Sequence, residues 1–229
     1  MVKYRTIYFD LDHTLWDYDT NSVEVLTEIF DKHVTGNGNS LDGFLKDFEI
    51  VNEKLWDRYN KGVIDKEIIR KERFVQILER SEIEDRQLAE QISEFYLFEC
   101  PRRPHLIPGT IEVLEYVQEK YEVHILTNGF DDVQEIKLTE SGIKKYFNKV
   151  ITSESTGFKK PSVEFFKHAL EETNGEISES LMVGDNLKTD IAGARNVDMD
   201  SVYFNPSKNA RPHKAQYEIA ELTELLDIL

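Results

Sequence analysis

The chain has 229 residues, 40% hydrophobic and 11% aromatic, which suits one large domain or a domain with an insertion and argues against disorder. Forty-four acidic against 28 basic residues give a formal net charge of −16, the wrong sign for a nucleic-acid polymer; a small anionic substrate would need local cations or a metal. Cys100 is the single cysteine, so an internal disulfide and a thiolate metal cluster are excluded. No apolar run approaches the ~20 residues of a membrane span, and no signal-peptide core precedes the first strand pattern, so a cytoplasmic setting without a membrane partner is expected.

The first element is a short β-rich run at 4–10 within KYRTIYFDLDHTLWDYD. It ends in two acids one residue apart. Alternate side chains of a strand share a face, so Asp10 and Asp12 are expected to point the same way at the strand's mouth. Carboxylates that close repel, and at least one pKa should rise unless a cation lies between them. One reading is a general acid beside a nucleophile or metal ligand. The other is a strand end with two solvated acids. A calcium loop starting at Asp10 is set aside, because Leu15 would fill its glycine position and Asn21 its bidentate glutamate position.

From about 17 to 104 strand signals give way to apolar residues at helical spacing: Val23, Leu26, Phe30; Phe44, Phe48, Val51, Leu55; Ile68, Val75, Leu78; Leu88, Ile92, Phe95. Breaks at 36–39, near Gly62 and at 81–85 divide the stretch into about four helices. Pro101, Pro104, Pro108 and Gly109 punctuate the return. A helical bundle inserted after the first strand is a candidate lid, because parallel sheets bind ligands at the C-terminal ends of their strands.

A second strand at 122–127 ends in HILTNGF. The Thr127 hydroxyl and the N–H groups of the Asn128-Gly129 turn can hold phosphate oxygens, or Thr127 simply caps a turn. A helix at 131–141 and a strand at 149–152 follow. Pro161 fits the first position of a helix at 161–173, which would set Lys160 at the helix N-terminus, an odd place for a base unless it faces an anion. The alternative is a pair of solvated lysines, Lys159 and Lys160. A strand at 181–185 ends at Gly184-Asp185. Asp190 follows in the first turn of a helix at 189–196, as a cap or as an orienting group. A strand at 201–205 and an amphipathic helix at 216–228 complete the chain.

Alternating strands and helices predict an α/β fold, a Rossmann-like parallel sheet with helices on both faces. Its strand ends would bring Asp10, Asp12, Thr127, Asn128, Lys160 and Asp185 to one edge. Such a cluster is expensive for stability alone and makes sense around a divalent cation and a phosphoryl group.

The segments DLDHT (10–14), TNG (127–129), KKP (159–161) and GDNLKTD (184–190) resemble the four motifs of the haloacid dehalogenase (HAD) superfamily. An all-helical insertion after the first motif resembles the C1 class of caps. RYNKGVIDKEIIRKERF, LTNGF and LMVGDNLKTDIAGARN look most like the pyrimidine 5′-nucleotidase subgroup. The resemblance implies a core of residues 1–16 and 105–229 and a cap of residues 17–104. It implies Asp10 as the nucleophile that becomes an aspartyl phosphate, and Asp12 as the acid and then base. Mg²⁺ would be held by Asp10, the Asp12 carbonyl and Asp185. Thr127 with the Asn128 and Gly129 backbone would bind phosphate, Lys160 would neutralise charge, and Asp190 would orient Lys160 or the metal shell.

His13 departs from the glycine of many members and carries no implied role. Asp12 argues against a dehalogenase, whose halide leaves without a proton. The expected protein is a Mg²⁺-dependent phosphomonoester hydrolase, a monomer or small homo-oligomer, with a nucleoside 5′-monophosphate as leading substrate. Sugar-phosphate or phosphoglycolate phosphatase and a β-phosphoglucomutase-like phosphomutase are the alternatives. Trp16, Tyr18, Phe130, Trp56 and Tyr59 could stack on a base or pack the core or hinge. His105, His124 and Cys100 lack the spacing of a zinc site or thiol nucleophile.

Overall fold

The computed structural model of the protein describes residues 3–36 and 38–229, so residues 1–2 of the expected core and Asn37 of the expected 36–39 break lie outside the described residues. The order of elements is β1 (Thr6–Phe9), α1 (Tyr18–Ile29), α2 (Leu41–Asn60), α3 (Lys66–Arg80), α4 (Arg86–Glu99), α5 (Thr110–Gln118), β2 (Glu122–Thr127), α6 (Asp131–Glu140), β3 (Lys149–Thr152), the single turn α7 (Ser153–Thr156), α8 (Val163–Thr173), β4 (Ser180–Gly184), α9 (Ala192–Asn196), β5 (Asp200–Phe204) and β6 (Tyr217–Ile219). The chain divides into two compact units, one running to Tyr18 and resuming at Pro104, the other spanning Asp19–Arg103.

The first unit is built on a six-stranded parallel sheet of order β3-β2-β1-β4-β5-β6. β1 is buried along its whole length, which is why it reads as an uninterrupted apolar run. Phe9 lies opposite Ile125 of β2 and Val183 of β4. This register brings the residues just beyond the three strands to one edge. One sheet face sends Tyr8, Leu126, Ile151 and Met182 against Phe165, Phe166, Ala169 and Leu170 of α8 and Ala194 of α9. On the chain's return to the sheet α5 lies against β2, with Val113, Leu114 and Val117 fully buried. Each large apolar side chain so buried stabilises the fold by about 1.5–3 kcal/mol.

The second unit contains α1 to α4. Ser40, Asp65 and Asp85 cap α2, α3 and α4, each accepting a backbone N–H three residues on. Arg73 is buried in the core of this unit, its guanidinium 4.6 Å from the Tyr96 ring centroid, and donates to Asn52 Oδ1 at 3.2 Å. Among the described residues no helix is long and apolar enough to cross a membrane.

Three elements differ from the sequence reading. Helix α5 was not expected, although Thr110, Val113, Leu114 and Val117 form a buried stripe at helical spacing. The amphipathic segment 216–228 is not one helix: Tyr217–Ile219 pair with the outer edge of β5, and a 3₁₀ helix, Leu222–Asp227, starts afresh from a capping box between Glu221 and Glu224. The open strand edge outcompetes a helix there. Pro161 is not the first helical residue either. Ser162 caps α8, its Oγ accepting from Phe165 N–H at 3.2 Å, so Lys160 stands two residues before the cap and not at the helix N-terminus.

Candidate active site

Just past β1, Asp10 Oδ1 lies 2.5 Å from the Lys160 ammonium. The same ammonium lies 2.6 Å from Asp190 Oδ1 and donates to the Leu126 carbonyl at 2.7 Å. An ammonium has three donors, and three acceptors meet it. Lys160 is only 2% exposed. Its backbone is gripped by the Asn128 side chain: Lys160 N–H donates to Asn128 Oδ1 at 2.8 Å, and Asn128 Nδ2 donates to Lys160 O at 3.0 Å. Ser153 Oγ donates to the Asn128 carbonyl at 3.1 Å and steadies that turn.

Asp185 follows β4. Thr14 Oγ1 donates to Asp185 Oδ1 at 3.2 Å and accepts from Asp185 N–H at 3.2 Å, while lying 3.5 Å from Asp10 Oδ2. Asp190 Oδ2 accepts from Asn186 N–H at 3.1 Å, so Asp190 both caps its turn and meets Lys160. Gly184 makes room for it: a Cβ there would stand 2.5 Å from Asp190 Oδ2. Carboxylate oxygens of Asp10, Asp185 and Asp190 all lie within 4.8 Å of one another.

The charges follow from this geometry. Burial pushes the Asp10 carboxyl well above the usual carboxylate range, with Asp190 and Asp185 adding to the rise and Lys160 opposing it. Burial, then Asp190, pushes Asp185 up to about 6. Burial alone would lower Lys160, but Asp10 and Asp190 hold it above the ordinary lysine value. One ammonium therefore meets two buried carboxylates, Asp10 and Asp190, with the half-buried Asp185 close by. The donors are all oxygens, the set that suits a hard divalent cation such as Mg²⁺ rather than a thiolate- or imidazole-bound metal. The cluster fits such an ion.

Asp12 looks the other way chemically. Lys137 of α6 donates to its Oδ1, and Gln134 Nε2 donates to its Oδ2 at 2.9 Å. Gln134 Nε2 also donates to Thr127 Oγ1 at 2.7 Å, and Gly129 N–H donates to the same oxygen at 3.0 Å. Both bonds use Thr127 Oγ1 as acceptor, so its own O–H is the donor that remains for a ligand. Burial favours the protonated form of Asp12, but the Lys137 charge and the Lys137 and Gln134 hydrogen bonds outweigh it and lower the pKa. The two acids of the first motif thus shift in opposite directions because different elements meet them, not because they repel each other.

The family model of haloacid dehalogenase-like hydrolases matches residues 4–198. The chain belongs to that family. The HAD-hydrolase YfnB of Bacillus subtilis is 29% identical over 235 residues, 100% of this chain and 97% of that protein. Its magnesium-bound crystal structure aligns at a TM-score of 0.89 and 27% identity, covering 99% of this chain and 98% of that one. The pyrimidine 5′-nucleotidase YjjG of Escherichia coli is 30% identical over 232 residues, 100% of this chain and 99% of that protein. A ribulose-1,5-bisphosphate 5-phosphatase of Halopiger xanaduensis is 36% identical over 135 residues, only 54% of this chain and 56% of that protein.

As a HAD-like hydrolase the chain brings Asp10, Lys160, Asp185 and Asp190 together, with Asp12 and Thr127 on a linked network. Two members of the TNG turn are engaged in an unforeseen way: the Asn128 side chain holds Lys160, and Gly129 N–H serves Thr127. A Cβ at Gly129 would stand 2.0 Å from Gln134 Nε2, so glycine there clears the path of Gln134. His13 adopts φ 64°, a left-handed conformation that explains why glycine suits this position, and its ring lies 4.7 Å from that of Tyr18.

Thr14, Gln134 and Lys137 were missed. Gln134 and Lys137 sit on the buried face of α6 beside Leu138, and two polar residues on a helix's core face are the available signal. Trp16, Phe130 and Tyr59 are buried and pack the interior rather than awaiting a ligand.

Proposed function

We propose that this protein is a Mg²⁺-dependent phosphomonoester hydrolase acting through an aspartyl phosphate on Asp10, with nucleoside 5′-monophosphates as leading substrates. The observation that carries the reading is the division of labour at one strand end. Asp10 faces the Lys160 and carboxylate cluster, whereas Asp12 is held apart by Lys137 and Gln134. Phosphoryl transfer needs in-line positioning and charge neutralisation more than covalent help, and this arrangement offers both.

In this mechanism the Asp10 carboxylate attacks phosphorus, and Asp12 gives a proton to the leaving oxygen as its bond to phosphorus breaks. Water then attacks the phosphorus of the acyl phosphate, the bond from Asp10 oxygen to phosphorus breaks to release inorganic phosphate and restore the carboxylate, and Asp12 takes the proton that the water gives up. The Lys137 charge favours ionised Asp12 at rest. Its first proton therefore comes with the substrate, whose phosphate has a second pKa of about 6. Thr127 O–H donates to a phosphate oxygen, and Lys160 balances the charge of Asp10 and the phosphoryl group. Asp10, Asp185 and the Asp12 carbonyl would hold Mg²⁺, which supplies charge neutralisation at the phosphoryl oxygens when bound. Asp190 fixes Lys160. Residues 17–104 are assigned the part of a C1 cap.

The preference for nucleotides rests on a relative named as a nucleotidase that matches along the whole chain, whereas the sugar-phosphate enzyme matches over about half. A phosphate-release panel with Mg²⁺ tests it, setting pyrimidine and purine 5′-monophosphates against hexose phosphates, ribulose bisphosphate and phosphoglycolate. A clear preference for a sugar phosphate sinks the nucleotide reading. Turnover retained by Asp10→Asn sinks the covalent mechanism.

A further inference from the structure

We propose that Lys137, together with Gln134, is a positioning residue for Asp12, fixing its carboxylate where it hands a proton to the leaving oxygen; this rests on the phosphatase reading above. Lys137 is a lysine on the core face of α6 and is only 5% exposed. Burying an ammonium is costly unless it is paired. A buried ion pair is weak grounds for stability, since an apolar residue of similar size commonly serves as well. The pairing observed is specific. Lys137 takes Asp12 Oδ1 and Gln134 takes Oδ2, so each carboxylate oxygen has its own donor and the group's plane is set.

The ammonium is fixed in turn. It lies 4.4 Å from the ring centroid of Trp16, which is fully buried, and 5.8 Å from that of Tyr18. Gln134 is also fully buried and ties the same carboxylate to Thr127 Oγ1, the hydroxyl beside the phosphate position. One network therefore spans the proton-carrying acid and the phosphate-binding hydroxyl. It gives the site a reason to keep a lysine where the helix needs only an apolar side chain.

Lys137→Met keeps the stem and removes the ammonium; Lys137→Arg keeps the charge. The readout is kcat/KM, which reports the steps through departure of the leaving group, for two substrates. A nucleoside 5′-monophosphate expels an alkoxide that needs a proton, whereas p-nitrophenyl phosphate expels a phenolate that does not. Loss of a placed general acid lowers rates by about 10²-fold or more. Lys137→Met should lower kcat/KM for the nucleotide by about that factor, with about threefold or less for p-nitrophenyl phosphate, and Lys137→Arg should restore part of the difference. Gln134→Met should shift the two substrates apart in the same direction.

Lys137→Met in an Asp12→Asn background leaves no unpaired buried charge and so guards against misfolding. There the second substitution should add nothing to the difference between substrates. Equal losses on both substrates, or an undiminished effect in the Asp12→Asn background, overturn the inference while leaving the phosphatase reading intact. If the unaltered protein turns over neither ester, both fall.

Discussion

Replacing Lys160 by Met keeps the side chain's bulk and removes its charge. Three acceptors then lose their donor at once: Asp10 Oδ1, Asp190 Oδ1 and the Leu126 carbonyl. Removing one partner of a buried ion pair destabilises by about 3–5 kcal/mol. For a chain of this length each kcal/mol moves the melting temperature by about 2–4 °C, so the fall at pH 8 is expected to be about 6–20 °C.

The pH dependence has a definite sign. Asp10 already binds its proton more tightly in the fold than the unfolded chain does, and without the ammonium it binds it more tightly still. A raised carboxyl contributes stability that is full at low pH and is lost as pH rises through the folded pKa. The deficit of Lys160→Met should therefore shrink between pH 8 and pH 5. Differential scanning calorimetry of both proteins at the two pH values measures this. A fall below about 2 °C at pH 8, or a deficit that grows at pH 5, refutes the picture of one ammonium holding a buried carboxylate cluster.

His124 supplies a second pH test of opposite sign. It stacks on Tyr8 with ring centroids 5.5 Å apart, neither ring nitrogen has a partner among the described residues, and burial, then Lys149, lowers its pKa from 6.5 to about 4. The unfolded chain takes up that proton first, so up to about 3 kcal/mol of stability is lost as pH falls from 6.5 to 4. Urea midpoints of His124→Phe should show a shallower acid limb, and parallel profiles would rule this out. Gly129→Ala forces Gln134 away from Asp12 and Thr127, and turnover of a nucleotide should drop by about tenfold or more with a small change in melting temperature. Chelation should abolish phosphate release. Added Mg²⁺ should raise the melting temperature of the unaltered protein but not that of Asp185→Asn; equal shifts would place the ion elsewhere.

The strand ends were legible because they are local events. An apolar run that stops at an acid, a turn or a glycine announces its own edge, and Asp10, Thr127 and Asp185 could be placed from the residues on either side of them. Lys160 was legible as a residue but not in its setting, since Ser162 rather than Pro161 opens the helix and the grip of Asn128 comes from 32 residues away. Gln134 and Lys137 were not legible. Their partner Asp12 lies 122 and 125 positions earlier, and nothing short of the folded sheet says which face of α6 turns back to it. The last segment misled for a related reason: a pattern that fits a helix met an open strand edge, and pairing won.

The place of β1 in the middle of the sheet also governs how the molecule comes into being. Its neighbours β2 and β4 are both made later, and Thr14 meets Asp185 only after 171 further residues have been joined. At about 5–20 residues per second that is roughly 10–30 s, during which the apolar first strand lacks at least one of its two neighbours. The stretch from Asp19 to Arg103 is contiguous and can complete itself within that interval. A nascent chain of this protein can therefore carry a finished helical body before its first strand has both neighbours, and the contact between Thr14 and Asp185 closes only after that.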